Sequence, residues 1–331
     1  MKHRIVISRT DNLGDVILAL PIAGFIKKHL PEAEVYFIGK EYTKPVIESG
    51  QLIDGFLDRN AILKDPQILK QLEADAIVFV FPDKELASLA KKLKIKTRIG
   101  TSHRIIHWWT CNKMVNFTRK KSDLHESQLN LKLLKPLQIP TTIALEEIAD
   151  LYAMKAEPLP EKWQQLIPKY KFNLIMHPKS RGSAREWGIE NYYQLIKILN
   201  PDNYHVFITG SAAEKELIHQ EKPEIFTLPH VTDLTGQLSL TELISFIDGA
   251  DGLLACSTGP LHIASALGKY ALGVYPPIRP VHPGSWMPLG KKAGYLCLEK
   301  DCEDCRKTKK CACILSITAI QVKEIIEKWG K

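Results

Sequence analysis

Residues 4–21 read RIVISRTDNLGDVILALP, a short apolar run followed by a polar loop and an amphipathic stretch. This pattern predicts a buried strand at Arg4–Ser8 and a helix over Asp15–Leu30. A second apolar run, Glu34–Ile38, begins about thirty residues after the first, which is the length of one βαβ unit. The start of the chain therefore predicts a parallel sheet of the Rossmann kind.

The alternation of strands and helices continues along the 331 residues and forms two halves. Asp75–Phe81 is a near-continuous apolar run, typical of a parallel strand covered on both faces. The pattern breaks over residues 153–169, a polar segment punctuated by prolines that we interpret as an inter-domain linker. It restarts at Phe172–Met176 and includes predicted strands at Ile225–Leu228 and Tyr270–Tyr275.

Two such halves predict an α/β protein with two Rossmann-like domains that face each other across a cleft. We place the N-terminal domain at residues 1–155, the C-terminal domain at 170–315 and a final amphipathic helix at 316–331. In open parallel sheets ligands bind beyond the carboxyl ends of the strands. The candidate site residues are therefore sought in the loops that follow strands.

The bulk composition is that of a water-soluble globular protein, with 45% hydrophobic and 25% charged residues. No apolar run is long enough to cross a bilayer, and the N-terminus lacks the pattern of a signal peptide, so we expect a cytoplasmic protein. The net charge of +8 suits an anionic partner, including an acidic membrane surface touched peripherally. No helix-turn-helix, zinc-finger or stacking-aromatic signature indicates nucleic acid as that partner.

Several familiar catalytic motifs are missing from the sequence. No Gly-x-Gly-x-x-Gly follows the first strand, and the region from Gly284 to Lys292 does not have P-loop spacing. Neither a Gly-x-Ser-x-Gly elbow nor a His-Glu-x-x-His helix occurs. An Asp-x-Asp triplet that could hold a divalent metal on a sugar diphosphate is also absent.

Three other segments carry candidate chemistry. The first, here called the Asp15 loop, is residues 9–16 at the end of the first strand, where Gly14 allows close backbone approach and Asp15 is a candidate base. Alternatively, Asp15 only complements a helix dipole. On these residues alone the two interpretations are equally supported.

The other two segments lie in the second half. The basic loop, residues 177–187, combines cations with Ser and Gly, as a pyrophosphate site requires; the alternative is an exposed, solvated loop. The Thr258 segment, residues 257–264, runs from a buried strand into a helix whose first N–H groups could hold an anion without a metal. The alternative is that Ser257 and Thr258 simply cap that helix.

The three segments together resemble glycosyltransferase family 9, the family of the ADP-heptose:lipopolysaccharide heptosyltransferases. The resemblance rests on Leu13–Pro21, on the Arg185-Glu186-Trp187 end of the basic loop, and on residues 257–264, in this order and spacing. It implies a GT-B fold and an inverting transfer that needs neither metal nor cofactor, with an ADP-sugar as co-substrate. The acceptor would be an anionic, lipid-linked saccharide of the envelope, reached from the cytoplasmic side of the inner membrane.

The resemblance also implies roles for particular residues. Asp15 matches the catalytic base, with Arg9, Asn12 and Gly14 on the acceptor side. The residues implied to bind the nucleotide sugar are Lys179, Ser180, Arg181, Arg185, Glu214, Leu238, Ser257, Thr258, Gly259 and His262. Among these, Glu214 would hold the ribose hydroxyls and Leu238 would present its backbone to adenine.

The sequence departs from the family pattern at two positions. Ser257 stands where Asp is more frequent, and Arg185 replaces a Lys, which keeps the charge but changes its geometry. The donor sugar is therefore less certain than the fold. Rival interpretations are a sugar-nucleotide epimerase or hydrolase on the same fold, and an inactive binding protein of the envelope pathway.

Cys302, Cys305, Cys311 and Cys313 fall within twelve residues. They could bind zinc, although the Cys-x-Cys spacing of the second pair is shorter than usual. A loop of reduced or partly paired thiols is the alternative that we favour.

Overall fold

The computed structural model describes residues 3–119, 122–279, 281–299, 302 and 312–329. The chain divides into two compact units, Met1–Lys155 and Ala156–Lys331. Each unit is an α/β structure built on one parallel sheet.

The described part of the first unit contains a six-stranded parallel sheet in the order β3-β2-β1-β4-β5-β6. Its central strands are buried on both faces, which explains their continuous apolar runs. The strands are β1 (Arg4–Ser8), β2 (Glu34–Gly39), β3 (Gly55–Asp58), β4 (Ala76–Phe79), β5 (Thr97–Thr101) and β6 (Lys113–Val115).

Short helices connect these strands. They are α1 (Leu13–Ile17), α2 (Pro21–His29), α3 (Lys44–Glu48), α4 (Arg59–Lys64), α5 (Gln67–Gln71), α6 (Lys84–Lys92), α7 (Ile105–Thr110), α8 (Glu126–Leu131) and α9 (Leu145–Ile148). Short 3-10 helices cover Glu41–Thr43, Lys132–Leu137 and Ala149–Leu151.

The predicted helix Asp15–Leu30 is wrong in its continuity, because it is split into α1 and α2. Pro21 causes the interruption. Proline has no amide hydrogen to continue the first helix, but its fixed φ suits the first position of a new one. The split leaves Asp15 on a helix of only five residues.

The second unit repeats the strand order of the first. Its described residues form a six-stranded parallel sheet in the order β12-β11-β10-β7-β8-β9. Counted from the first strand of each unit, both sheets have the order 3-2-1-4-5-6 of nucleotide-binding Rossmann folds. The strands are β7 (Phe172–His177), β8 (Tyr204–Ile208), β9 (Val231–Asp233), β10 (Gly252–Cys256), β11 (Tyr270–Val274) and β12 (Ala293–Leu296).

The helices of the second unit complete this α/β layer structure. They are α10 (Glu161–Gln164), α11 (Ile189–Ile198), α12 (Ala212–Glu221), α13 (Leu240–Gly249), α14 (Gly259–Ala266), α15 (Pro283–Trp286), α16 (Ala312–Leu315) and α17 (Ala319–Ile326). Within the described ranges, no helix has the length and apolar character needed to span a bilayer.

The predicted strand Ile225–Leu228 is wrong, because Pro223–Thr227 is a 3-10 helix and the strand is Val231–Asp233. Pro223 occupies the first position of that helix and supplies its φ. The real strand lies at the edge of its sheet and is only partly buried, so it lacks an apolar run. The strands β3, β6 and β12 were not predicted for the same reason, because they too lie at the edges of their sheets.

The segment interpreted as a linker is partly folded. Trp163 of α10 is buried, and its indole N–H donates to Glu242 Oε1 over 2.8 Å. Lys162 Nζ contacts the same oxygen at 2.8 Å. Hydrogen bonds from Lys162, the Ser239 amide and Trp163 lower the pKa of Glu242 to about 2. This network attaches α10 to α13 within the second unit.

The end of the described chain belongs to the core of the second unit. Ile314, Ile317, Val322 and Ile326 are buried in the same apolar cluster as Trp187. The Trp187 indole N–H donates to the Ile317 carbonyl over 2.7 Å. The described part of the helix predicted at 316–331 is α17, Ala319–Ile326, and it is packed on this unit.

Candidate active site

Asp15 lies immediately beyond the carboxyl end of β1, a central strand of the first sheet. It occupies the first turn of α1, together with Gly14, and Asn12 immediately precedes that helix. The Asn12 amide donates to Asp15 Oδ2 over 3.3 Å. This position agrees with the helix-dipole alternative, but the contacts of Arg9 show a larger electrostatic cluster.

Arg9 is a buried guanidinium, 3% exposed, that contacts three carboxylates. Nε and Nη2 bind the two oxygens of Asp11 at 2.8 and 3.0 Å. Nη2 also donates to Asp15 Oδ1 over 2.5 Å. Nη1 donates to Glu126 Oε1 over 2.9 Å. The sequence predicts Arg9 on the acceptor side of the site, and the structure shows that Arg9 contacts the candidate base Asp15 directly.

Glu126 is a member of this cluster that the sequence analysis missed. It is the first residue of α8, 3% exposed, and it also accepts from Arg119 Nε over 2.8 Å. A single Glu at a helix start is normally attributed to the helix dipole, so its sequence offered no signal of burial. The contact with Arg9 spans 117 residues of sequence.

The cluster gives its carboxyl groups different acidities. Burial raises the pKa of Asp15, Arg9 and Asn12 oppose that shift, and Asp11 and Glu126 add to it. Burial alone would also raise the pKa of Glu126, but Arg9 and Arg119 outweigh it, and the net shift is downward. Asp15 is therefore the better proton acceptor of the two, and Glu126 stays ionised as a partner of Arg9.

In the second unit, the residues predicted to bind the nucleotide sugar all lie beyond the carboxyl ends of four adjacent strands, β10, β7, β8 and β9. The basic loop follows β7, Glu214 follows β8 at the start of α12, Leu238 lies between β9 and α13, and the Thr258 segment follows β10. Parallel strands bring these loops to one edge of the sheet.

Two side chains of the basic loop are used to hold the loop itself. Lys179 Nζ is buried and binds Glu221 at 2.6 Å and Glu186 at 3.5 Å. Glu186 Oε1 accepts from both the amide and the hydroxyl of Ser180, each over 2.9 Å. The basic loop is therefore an ordered structure and not simply a solvated surface.

The tip of the basic loop turns sharply. Arg181 and Gly182 have φ values of +49° and +79°, and a left-handed backbone favours glycine at the second position. Arg181 Nε contacts Ser211 Oγ at 3.3 Å, linking the loop to the start of α12. His177, at the base of the loop, lies 3.0 Å from Thr209 Oγ1, and burial lowers the pKa of its ring. His177 is therefore a neutral structural group.

Arg185 lines a pocket of about 300 Å³ with Gly182, Ser183, Ala184, Ile278, Arg279 and Val281. Its Nε is buried, and no hydrogen-bond acceptor for that atom occurs among the described residues. A buried donor without an acceptor costs about 1–3 kcal/mol, more when the group is charged. An anionic ligand in this pocket would supply the missing acceptor.

Thr258 precedes α14, and its buried hydroxyl likewise has no hydrogen-bond partner in the described part of the chain. The alternative that Thr258 caps the helix is wrong, because α14 receives no side-chain cap. Gly259 begins the helix and His262 is buried in its first turns. Ser257, the residue before Thr258, is partly buried. The start of α14 therefore has the open N–H groups and the unused hydroxyl of an anion site.

Glu214 is buried, and one of its oxygens is already engaged. Oε2 accepts from the Ser211 amide and hydroxyl at 2.7 and 2.9 Å, which forms the capping box of α12. The other oxygen, Oε1, makes no hydrogen bond within the described residues. Leu238 is half-buried in its loop.

The cysteine hypothesis stays open. Cys305 and Cys311 lie outside the described residues, while Cys302 and Cys313 lie within them. Within the described ranges, no group of three side chains that could hold a metal ion is present.

Comparison with known proteins identifies the family of the chain. Residues 66–314 match the model of glycosyltransferase family 9 (heptosyltransferase). The chain is 26% identical over 292 residues to the lipopolysaccharide core heptosyltransferase OpsX of Haemophilus influenzae, covering 81% of this chain and 78% of that protein.

Solved structures share the fold over nearly the whole chain. A glycosyltransferase of family 9 from Veillonella parvula has a TM-score of 0.78 at 19% identity, with 99% of this chain and 98% of that chain covered. The Escherichia coli ADP-heptose LPS heptosyltransferase II has a TM-score of 0.73 at 16% identity, with the same coverage. The predicted α/β fold of the GT-B class and the resemblance are confirmed: the chain belongs to glycosyltransferase family 9, the heptosyltransferases, and is a glycosyltransferase.

Proposed function

We propose that this protein transfers a sugar, most simply heptose, from an ADP-sugar to a lipopolysaccharide core or a related lipid-linked envelope glycan, with inversion and without a metal. The reaction would take place in the cytoplasm at the inner membrane. The observation that carries the proposal is the pair of unused donors in the second unit, Arg185 Nε and Thr258 Oγ1. Both are buried beyond the carboxyl edge of a nucleotide-binding type of sheet, where a diphosphate would complete their hydrogen bonds.

In the proposed reaction Asp15 accepts the proton of the acceptor hydroxyl as that oxygen bonds to the anomeric carbon. The bond from the anomeric carbon to the diphosphate oxygen breaks, and ADP leaves with the bonding electrons. Arg185 and the first amides of α14 stabilise the negative charge that develops on the diphosphate. Attack opposite the leaving group inverts the anomeric centre.

The raised pKa of Asp15 predicts that kcat/KM begins to fall at an unusually high pH on the acid side, or acidic limb, of its pH profile. The base must be ionised, so activity falls as pH drops through its pKa, which lies above the ordinary value of 3.8. Asn12 donates to Asp15 and lowers that pKa, so Asn12→Ala should move the limb to still higher pH. A rate profile measured at saturating ADP-sugar tests both statements. A limb that stays in place in Asn12→Ala would contradict the assignment of Asp15 as the titrating base.

Arg185→Ala tests the donor side. A lost charge-assisted contact to phosphate costs about 1.5–3 kcal/mol, so ADP affinity should fall by roughly ten- to a hundredfold in a calorimetric titration. The wild type should transfer heptose from ADP-heptose in excess EDTA and only when acceptor is present. Lys171→Ala, which removes a cation just before β7 at the opposite edge of the sheet, serves as the control and should bind ADP normally.

Three outcomes would contradict the proposal. Unchanged ADP binding by Arg185→Ala would remove the diphosphate from this pocket. Release of free sugar without acceptor would instead favour a hydrolase or epimerase. Loss of all transfer in EDTA that only a divalent ion restores would contradict the metal-independent mechanism.

A further inference from the structure

Helix α7 has an inverted distribution of side chains. Ile105, Trp108 and Trp109 are 73%, 60% and 71% exposed, whereas the polar residues His107 and Thr110 are buried. Met114, on the neighbouring edge strand β6, is 49% exposed. We call the four apolar residues the α7 surface. Large apolar side chains grouped at the surface usually mark a binding site.

Specific contacts hold α7 in this orientation. The Trp108 indole N–H donates to the Ser102 carbonyl over 2.7 Å, and Lys91 Nζ donates to the Trp109 carbonyl over 2.7 Å. His107 Nδ1 lies 3.1 Å from the Thr101 carbonyl. A Cβ atom at Gly100 would lie only 2.5 Å from His107 Nδ1, so glycine there lets the imidazole enter. The exposed indoles are therefore part of a built structure and do not result from a frayed helix.

The α7 surface lies in the most basic part of the sequence. Residues 86–122 contain ten of the 45 Lys and Arg residues and none of the 37 Asp and Glu residues. The rest of the chain has 35 basic against 37 acidic residues, so the whole net charge of +8 arises from this segment. Lys91, Arg104 and Lys113 are exposed beside the apolar residues.

The α7 surface is also on the same edge of the sheet as Asp15. Strand β5 ends at Thr101 just before α7, and β1 ends just before the Asp15 loop. Only β4 separates these two strands, so their ends are about 10 Å apart. A lipid-linked acceptor that reaches Asp15 would bring its membrane close to α7.

We propose that the α7 surface binds the headgroup region of an anionic lipid bilayer, with Trp108 and Trp109 inserted at the interface. Indole rings favour that region because they combine an apolar body with a polar N–H, and cations beside them meet anionic headgroups. A second copy of this chain is a poorer occupant, because a symmetric dimer through this surface would face two strongly basic segments towards each other. The inference goes beyond the proposed transfer reaction, since vesicle binding needs neither donor nor acceptor.

The test is sedimentation of the full chain with vesicles of phosphatidylglycerol and phosphatidylcholine, compared with phosphatidylcholine alone. We expect binding to the anionic vesicles that weakens with salt. Trp108→Ser combined with Trp109→Ser should lower the partition coefficient by at least about tenfold. Tyr170→Ser is the control, because Tyr170 is 97% exposed in the second unit and should not affect binding.

The double variant should unfold at the same temperature as the wild type and transfer sugar to a soluble, lipid-free acceptor at the same rate, because both indoles are exposed. Equal vesicle binding by the double variant and the wild type would overturn the proposal. A wild-type dimer that the double variant converts to a monomer would also overturn it, in favour of self-association. Inactive wild-type protein that still binds vesicles through the indoles would refute the proposed function and leave this inference standing.

Discussion

Replacing Asp15 by Asn is expected to lower kcat by about 10²–10⁴ while ADP affinity stays within a few-fold of the wild-type value. The amide keeps the shape of the side chain and can still meet Asn12, but it cannot accept the proton of the acceptor hydroxyl. The measurement is single-turnover transfer from ADP-heptose, paired with calorimetric titration of ADP.

Asp11→Asn is the matched control for that experiment. Asp11 also binds Arg9, and Asp11→Asn removes the same charge as Asp15→Asn. Both oxygens of the Asp11 carboxylate are bound to Arg9, so Asp11 is a poorer proton acceptor. We expect a much smaller loss of rate from this variant. Near-normal turnover in Asp15→Asn would show that Asp15 is not the base. An equal loss in both variants would show that the charge of the cluster, and not proton transfer to Asp15, controls the rate.

Arg9→Met is expected to lower the free energy of unfolding at pH 7 by about 3–5 kcal/mol, because the partly buried Asp11 and Asp15 lose their cation and the buried Glu126 keeps only Arg119. In the wild type, the pKa of Glu126 is lowered from its ordinary value of 4.5. Its contribution to stability is therefore present above that value and lost as pH falls through the lowered pKa. In Arg9→Met, the neighbouring carboxylates should raise one another's pKa, so stability is present at low pH and lost as pH rises.

Denaturant unfolding at several pH values measures this difference. Mild acidification should stabilise Arg9→Met relative to the wild type. The control is Arg119→Met: the Arg119 side chain is 32% exposed, and Glu126 keeps Arg9, so we expect a loss nearer 1 kcal/mol. Equal losses of unfolding free energy in the two variants would mean that the burial of Arg9 does not determine its contribution to stability.

The central strands could be predicted from sequence because burial on both faces forces a continuous apolar run. The edge strands could not. β9 is a three-residue strand at the sheet edge with partly buried side chains. The strand was predicted instead at the apolar 3-10 helix just before it. The break at Pro21 was visible in the sequence, but the apolar periodicity on both sides of it hid the change of helix.

Candidate site residues that directly follow a strand could be predicted from the sequence. Residues that join the site only through contacts between distant parts of the chain could not. Asp15, Arg185 and Thr258 each come just after a buried strand, which marks the ligand-binding edge of a parallel sheet. Glu126 meets Arg9 only through folding, so no local pattern identifies it. The sequence also could not show that Lys179 is already paired with Glu221 at the end of α12.

The packing of α16 and α17 on the second unit has a consequence for biosynthesis. The first unit uses residues up to Lys155, so its core can close while the remaining residues are still being translated. The core of the second unit includes Ile314, Ile317, Val322 and Ile326, which are synthesised after every described strand of that unit. Trp187, which directly follows the basic loop, donates to a carbonyl in that late segment. The first unit can therefore fold during translation, whereas we expect the carboxyl edge of the second sheet to become ordered only after α17 has been synthesised.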